Sequence, residues 1–233
     1  MIRTVLFDAA GTLFDVAEPV GETYARFARR EGVSAEPRAL DDAFRAAFAG
    51  SPPLAFPHAR TAELPSLERA WWKRLVFEAF SRARVDAPPA ALGRAFAEVF
   101  EHYATAAAWR TYPDTKPVLR RLRDRGLRLG VVSNFDARLR RVLEGLDLAP
   151  AFEAVVFSSE CGAAKPDRRI FEAALRALRS PAAAALHVGD SERLDRRAAA
   201  DAGLAAVRLD RGGVASAEVV TRLDQIFERI FER

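Results

Sequence analysis

Short apolar runs recur along the chain, and each stops abruptly at a polar residue. Residues 4–7 end at Asp8, 127–132 at Ser133-Asn134, and 154–157 at Ser158-Ser159. Residues 184–188 end at Gly189-Asp190, and 205–209 at Asp210. Between them lie stretches with the 3.6-residue period of amphipathic helices, at 116–125, 137–146, 168–178 and 193–202. Strands that are apolar throughout, alternating with helices, predict a Rossmann-like, doubly wound parallel sheet of the α/β class. Such sheets bind ligands outside the carboxyl ends of their strands. The polar residues that end the runs are therefore expected to converge on one site.

More than a hundred residues separate the first run from the second, and they carry no strand signal. Helical periodicity covers 20–31, 39–49, 66–84 and 89–106, too much chain for a simple crossover. The pattern predicts a helical insert over 16–109, with the core formed by 1–15 and 110–233. The proline-rich piece Ser51-Pro52-Pro53-Leu54-Ala55-Phe56-Pro57 reads as a loop within the insert. A last helix, 217–233, places Val219, Val220, Leu223, Ile226, Phe227, Ile230 and Phe231 on one face. That face suits docking on the sheet, with a dimer contact as the alternative, so monomer and homodimer both stay open.

Composition narrows the function classes. Net charge is only +4, and bases alternate with acids along helical segments such as 119–128 instead of forming a stripe. Nucleic acid is thus not an expected partner. No apolar run approaches the roughly 20 residues that span a bilayer. The N-terminal apolar stretch is too short for a signal peptide. One cysteine, Cys161, permits no internal disulfide and suits a cytoplasmic setting. With no histidine near it in sequence, Cys161 reads as a small buried apolar group. Lys73, Lys116 and Lys165 are the only lysines, which makes the position of each one informative.

The chemistry sits at the strand ends. Asp8 followed by Ala9-Ala10-Gly11-Thr12 offers a carboxylate nucleophile beside a glycine that permits a tight turn. Ser133 can donate to a phosphoryl oxygen. Lys165, in Ala164-Lys165-Pro166-Asp167, can neutralise charge on the nucleophile and on a transferring group. Asp190 and Asp195 supply carboxylate oxygens for a hard cation such as Mg²⁺.

The order Asp8…Gly11-Thr12, Ser133-Asn134, Lys165-Pro166-Asp167 and Gly189-Asp190…Asp195 resembles the four motifs of the haloacid dehalogenase superfamily. That resemblance spans the chain and implies a Rossmann-like core with an inserted helical cap (C1 type). It also implies a Mg²⁺-dependent hydrolase acting on a small, phosphorylated substrate. At matching positions Asp8 would form an aspartyl-phosphate and Thr12 would support the loop. Ser133 and Lys165 would hold the phosphoryl group, with Gly11 and Asn134 beside them. Asp8, Asp190 and the main-chain carbonyl of Ala10 would bind Mg²⁺, with Asp195 in or just outside that shell.

One departure stands out. Phosphatases of the superfamily carry a second Asp, the general acid and base, two residues after the nucleophile; here that residue is Ala10. Three relatives also lack it. A 2-haloacid dehalogenase would attack carbon and need no metal, but the acidic pair Asp190 and Asp195 argues for a cation. A phosphonoacetaldehyde hydrolase would need a cap lysine, and Lys73 is the sole candidate. A catalytically weak, phosphate-binding regulatory protein is the third. His58 and His102 in the cap show no relay spacing, and His187 reads as a core or edge residue. Trp71 and Trp72 either line the cap's substrate side or pack its interior.

Overall fold

The computed structural model describes residues 1–231. In chain order its elements begin with β1 (Thr4–Phe7), β2 (Phe14–Val16), α1 (Val20–Arg30), α2 (Pro37–Gly50), α3 (Leu64–Arg82) and α4 (Pro89–His102). There follow β3 (Trp109–Thr111), α5 (Thr115–Asp124), β4 (Arg128–Ser133), α6 (Arg138–Gly145), β5 (Ala154–Phe157), α7 (Ser158–Cys161) and α8 (Arg168–Ala177). The last are β6 (Ala185–Gly189), α9 (Ala198–Asp201), β7 (Ala205–Leu209), β8 (Val219–Val220) and α10 (Ile226–Phe231). Every neighbouring pair in the six-stranded sheet is parallel, in the order β5-β4-β1-β6-β7-β8.

The central strands β1, β4 and β6 are mainly apolar on both faces because both faces are covered. Val5 and Phe7 point with Leu129, Val131 and Val188 toward α5, α6 and α10, where Leu122, Leu139 and Ile226 are fully buried. Leu6 and Val132 point the other way, against Ile170, Phe171 and Ala174 of α8 and Ala198 of α9. Truncating one fully buried side chain here, such as Phe171, would cost about 3–5 kcal/mol through lost burial and the cavity left behind. Phe7 is level with Val131 of β4 and with Val188 of β6. Counting on from those pairs, Ser133 and Asp190 stand one residue beyond the level of Asp8.

Helices α1 to α4 build a separate apolar cluster, with Tyr24, Leu40, Val76, Phe80 and Phe96 inside. The expected absence of strand in this stretch needs correction. β2 and β3 pair antiparallel, Phe14 opposite Thr111, and so bracket the four helices. Three-residue strands show too little alternation to read locally, and the partner of each lies far along the chain. The tail also differs from expectation. Val219 and Val220 extend the sheet beside Arg208 and Leu209 of β7, and α10 starts only at Ile226. Pairing on an open sheet edge overrides the helical period for two β-branched residues. The end of that expected helix, 232–233, lies outside the described residues. The expected helix at 193–202 divides into a π-helical turn, Glu192–Arg197, and α9. The helix expected over 89–106 stops at His102.

Candidate active site

Asp8 leaves β1 with its main-chain N–H donating to the Val188 carbonyl at 2.9 Å, which fixes it between β4 and β6. The loop then curls onto one acceptor: the Ala9 carbonyl receives the N–H groups of Thr12 and Leu13 at 3.2 and 2.8 Å. Gly11 makes this turn possible with φ of 82°. A Cβ at Gly11 would also lie 2.6 Å from Asp190 Oδ2, so only glycine lets the loop approach that carboxylate. The Ala10 carbonyl accepts none of the loop's hydrogen bonds, and Ala10 lines a cavity. Arg211 ties the loop down from outside, donating to the Thr12 carbonyl at 3.1 Å while pairing with Asp114 at 2.9 Å. Its guanidinium lies 3.8 Å over the Tyr112 ring.

Lys165 is 5% exposed and joins two carboxylates, Asp8 Oδ1 at 2.7 Å and Asp195 Oδ1 at 2.6 Å. Burial would push its ammonium pKa down; the charges of Asp8 and Asp195 reverse that and hold it above its ordinary value. Asn134, expected at a phosphoryl group, commits its amide to the Lys165 main chain. Its Oδ1 accepts from Lys165 N at 2.7 Å, and its Nδ2 donates to Lys165 O at 3.0 Å. Asn134 therefore sets where the lysine begins. Ser133 is buried at the end of β4. Thr12 is fully buried and its hydroxyl has no partner.

Asp195 is heavily engaged. Besides Lys165, it accepts from the Ser191 N–H at 3.0 Å and from His187 Nε2 at 2.9 Å. Burial opposes its charge, but Lys165 and His187 prevail and hold the carboxyl well below the usual range. Gly189 is required beneath it, since a Cβ there would stand 2.2 Å from Asp195 Cγ. His187 is the residue that the sequence reading missed as a site member. It is core, as expected, yet its ring holds Asp195 in place. A histidine inside an otherwise apolar strand needs a polar partner when buried, and that was the available signal.

Asp8, Asp190 and Asp195 have ligand oxygens within 4.8 Å of one another. Burial pushes Asp8 above its ordinary range even with Lys165 opposing. Partial burial, then the charges of Asp8 and Asp195, push Asp190 up to about 6. Asp8 and Asp190, beside the Ala10 main-chain carbonyl, form an all-oxygen donor set, which fits a hard divalent cation. With Lys165 and His187 both on its Oδ1, Asp195 positions the lysine directly.

The remaining sequence candidates lie apart. Lys73 is exposed, its ammonium 5.3 Å over the Phe77 ring, and it does not line the cavity beside Ala10. His58 is exposed, and His102 packs against Phe27 and Tyr103. Cys161, expected to be buried, is half-buried against the α8 cluster, and burial raises its thiol pKa. Trp71 and Trp72 do both things expected of them: they pack together, rings 4.9 Å apart, and they line the cavity.

A doubly wound α/β sheet with a lysine-bridged acidic site at its carboxyl edge is the class that fold and site define. The family model for "haloacid dehalogenase-like hydrolase" matches residues 2–203, and the chain belongs to that family. Haloacid dehalogenase-like hydrolase domain-containing protein 3 of Homo sapiens is 36% identical over 194 residues, 82% of this chain and 74% of the relative. Its Mus musculus counterpart is 39% identical over 192 residues, with the same two shares. Among solved structures, a HAD phosphatase from Thermococcus onnurineus superposes with a TM-score of 0.68 at 24% identity, covering 99% of this chain and 98% of that one. A 2-haloacid dehalogenase from Pseudomonas syringae gives 0.65 at 25% identity, covering 98% and 97%. Among the described residues, no helix is long and apolar enough to cross a membrane.

Proposed function

We propose that the protein is a Mg²⁺-dependent phosphohydrolase or phosphotransferase acting on a small molecule, with Asp8 as nucleophile and 16–109 as its cap. The observation that carries this reading is the Asp8–Lys165–Asp195 bridge beside Asp190. A dehalogenase needs no such excess of negative charge next to its nucleophile. Ser133 and the Lys165 ammonium hold the phosphoryl oxygens while Asp8 attacks phosphorus. Asp195 and His187 keep the ammonium aimed, and Asn134 fixes its main chain. The cation, held by Asp8, Asp190 and the Ala10 carbonyl, supplies positive charge against the phosphoryl oxygens when bound. Ala10 offers no proton, so the leaving group must depart as an anion, and water must open the acyl phosphate without a side-chain base beside it. A reducing cytoplasmic setting suits the single cysteine.

The test is hydrolysis of acetyl phosphate with Mg²⁺. Wild type is expected to turn over slowly, and Asp8→Asn to remove all protein-dependent release of phosphate. Metal-independent chloride release from 2-chloropropionate, lost in Asp8→Asn, would instead establish the dehalogenase reading, which Ala10 and the 25%-identical dehalogenase favour.

The metal reading has its own signature in stability. Raising the Asp190 pKa from 3.8 to about 6 means that its ionisation opposes folding. In metal-free protein this group's penalty is absent below the lower value and grows as pH rises through the interval. Mg²⁺ needs the ionised form. Mg²⁺ at about 100 times its Kd should raise Tm by about 5–10 °C at about pH 7.5, and far less at about pH 5. Thermal melts with and without EDTA check this, and equal shifts at both pH values would remove Asp190 from the metal site.

A further inference from the structure

A cavity of about 450 Å³, lined by Ala10 and Lys165, lies between the sheet's carboxyl edge and helices α1 to α4. Its walls are aromatic: Tyr24, Phe44, Phe48, Trp71, Trp72 and Phe100 all face it. The rings are held and not merely adjacent. Trp71 Nε1 donates to the Pro52 carbonyl at 3.1 Å, and Trp72 Nε1 donates to Asp136 at 2.5 Å. Phe48 stacks on Trp72 with centroids 6.4 Å apart, and 47% of Phe48 remains exposed at the entrance.

Most of the charges near this chamber are engaged by other groups. Arg138 lies 4.8 Å over Trp72 and 4.1 Å over Phe100, with both arms of its fork on Asp136 at 2.9 and 2.7 Å. Asp15 accepts from Val16 N at 2.8 Å and from the Tyr112 hydroxyl at 3.1 Å. Arg193 stands exposed at the rim. Lys165 is the cation at the reacting end, already bridging Asp8 and Asp195. The chamber is thus built for a neutral, flat, apolar group attached to something anionic at Asp8. An apolar cavity of about 150 Å³ suffices for benzene, so this one takes a substituted or fused ring.

We infer that the substrate is an aryl phosphate monoester whose ring occupies the Phe48–Trp72 chamber while its phosphoryl group meets Asp8. The inference rests on the phosphoryl-transfer reading above and names its substrate class. Two independent features agree on it. The aromatic chamber selects an aryl group by shape and burial. Ala10 selects it by chemistry, because no acid stands ready to protonate the departing oxygen. In the first step an Asp8 carboxylate oxygen forms a bond to phosphorus, and the P–O(aryl) bond breaks. Its electron pair stays on the aryl oxygen, giving an aryloxide. Phenols ionise near about pKa 10, whereas bulk water, the nearer guide to an aliphatic alcohol, ionises near about 15.7. An aryloxide therefore leaves unaided where an alkoxide does not. In the second step water attacks phosphorus, the P–O(Asp8) bond breaks, and inorganic phosphate and the Asp8 carboxylate are released, with the water's protons passing to phosphate and solvent.

The test compares full-length protein with Mg²⁺ on phenyl phosphates of graded phenol acidity, on ethyl phosphate, and on acetyl phosphate, which has a good leaving group but no ring. The aryl series is expected to exceed ethyl phosphate in kcat/KM by at least about a hundredfold, with a steep dependence on phenol pKa. Binding is measured separately on Asp8→Asn protein by tryptophan fluorescence. Phenylphosphonate is expected to bind about tenfold to a hundredfold more tightly than ethylphosphonate, the gain expected from burying one ring. Phe48→Ala should shrink that ratio. Equal affinities for the two phosphonates would overturn the inference, as would aryl and ethyl phosphates turned over alike. If acetyl phosphate hydrolysis persists in Asp8→Asn, the underlying phosphoryl-transfer reading fails and takes the inference with it. If that hydrolysis is lost but the phosphonates bind alike, the reading stands and only the substrate class is wrong.

Discussion

Ala10→Asp is expected to raise Mg²⁺-dependent hydrolysis of an alkyl phosphate by about 10²–10⁴, the usual contribution of one positioned acid or base. Ala10 already lines the cavity, so there is room for a carboxylate where a leaving oxygen would emerge. The main-chain carbonyl that serves the cation is not altered by the side chain, and Gly11 keeps its positive φ. Two steps should gain together, protonation of the alkoxide and activation of the water that opens the acyl phosphate. Steady-state kcat reports the slower of them, and single-turnover mixing separates them. Phenyl phosphates should gain less in the first step, since their leaving groups need no acid. Combining the change with Asp8→Asn should abolish the gain. An Ala10→Asp protein that is folded and no faster would show that the surrounding geometry cannot use an acid at this position.

Lys165→Met should damage both stability and rate. Its removal leaves Asp8 and Asp195 buried, close together and without a counter-charge. Losing one partner of a buried ion pair costs about 3–5 kcal/mol, or about 6–20 °C in Tm for a chain of this size. The sign with pH follows from Asp8. Burial already raises its pKa, and losing the ammonium raises it further. The penalty belongs to the ionised form, so the deficit is largest near neutrality and shrinks as acid protonates Asp8. Adding Asp8→Asn to Lys165→Met should recover part of the lost stability, which a double-mutant cycle measures. Rate should fall by about 10²–10³ through the lost charge on the phosphoryl oxygens. A Lys165→Met protein as stable as wild type in EDTA would contradict the bridge.

The parts of the fold that showed in the sequence are the mainly apolar strands that end at a polar residue. β1, β4 and β6 are paired on both sides and buried along nearly their whole length, and β5 and β7, though partly exposed, still read as mainly apolar runs ending at a polar residue. β2, β3 and β8 did not show, because two or three residues carry no period and their pairing is decided far away in the chain. The site divides along the same line. Asp8, Ser133 and Asp190 stand at strand ends, where a polar residue following an apolar run marks itself, whereas Lys165 lies in the loop after α7 and Asp195 in the π-helical turn after β6. His187 acts from inside a strand, Arg211 from the turn after β7 and the Asp136–Arg138 pair from the start of α6, and tertiary contact gives His187 and Arg211 their partners. The aromatic chamber was half legible. Helical spacing brings Trp71, Trp72, Phe96 and Phe100 inward, but periodicity does not tell a filled core from a lined cavity.

The proposed chemistry turns on Asp8 accepting a phosphoryl group and on Ala10 slowing its release. The direct measurement is mass spectrometry of wild-type protein quenched in acid during turnover of phenyl phosphate with Mg²⁺. The account predicts that a large fraction of the protein carries the added mass of one phosphoryl group, that peptide mapping places it on Asp8, and that Asp8→Asn never acquires it. It also predicts that Ala10→Asp, turning over faster, holds less of the adduct. Phosphate release without any adduct, or an adduct on another residue, would contradict it.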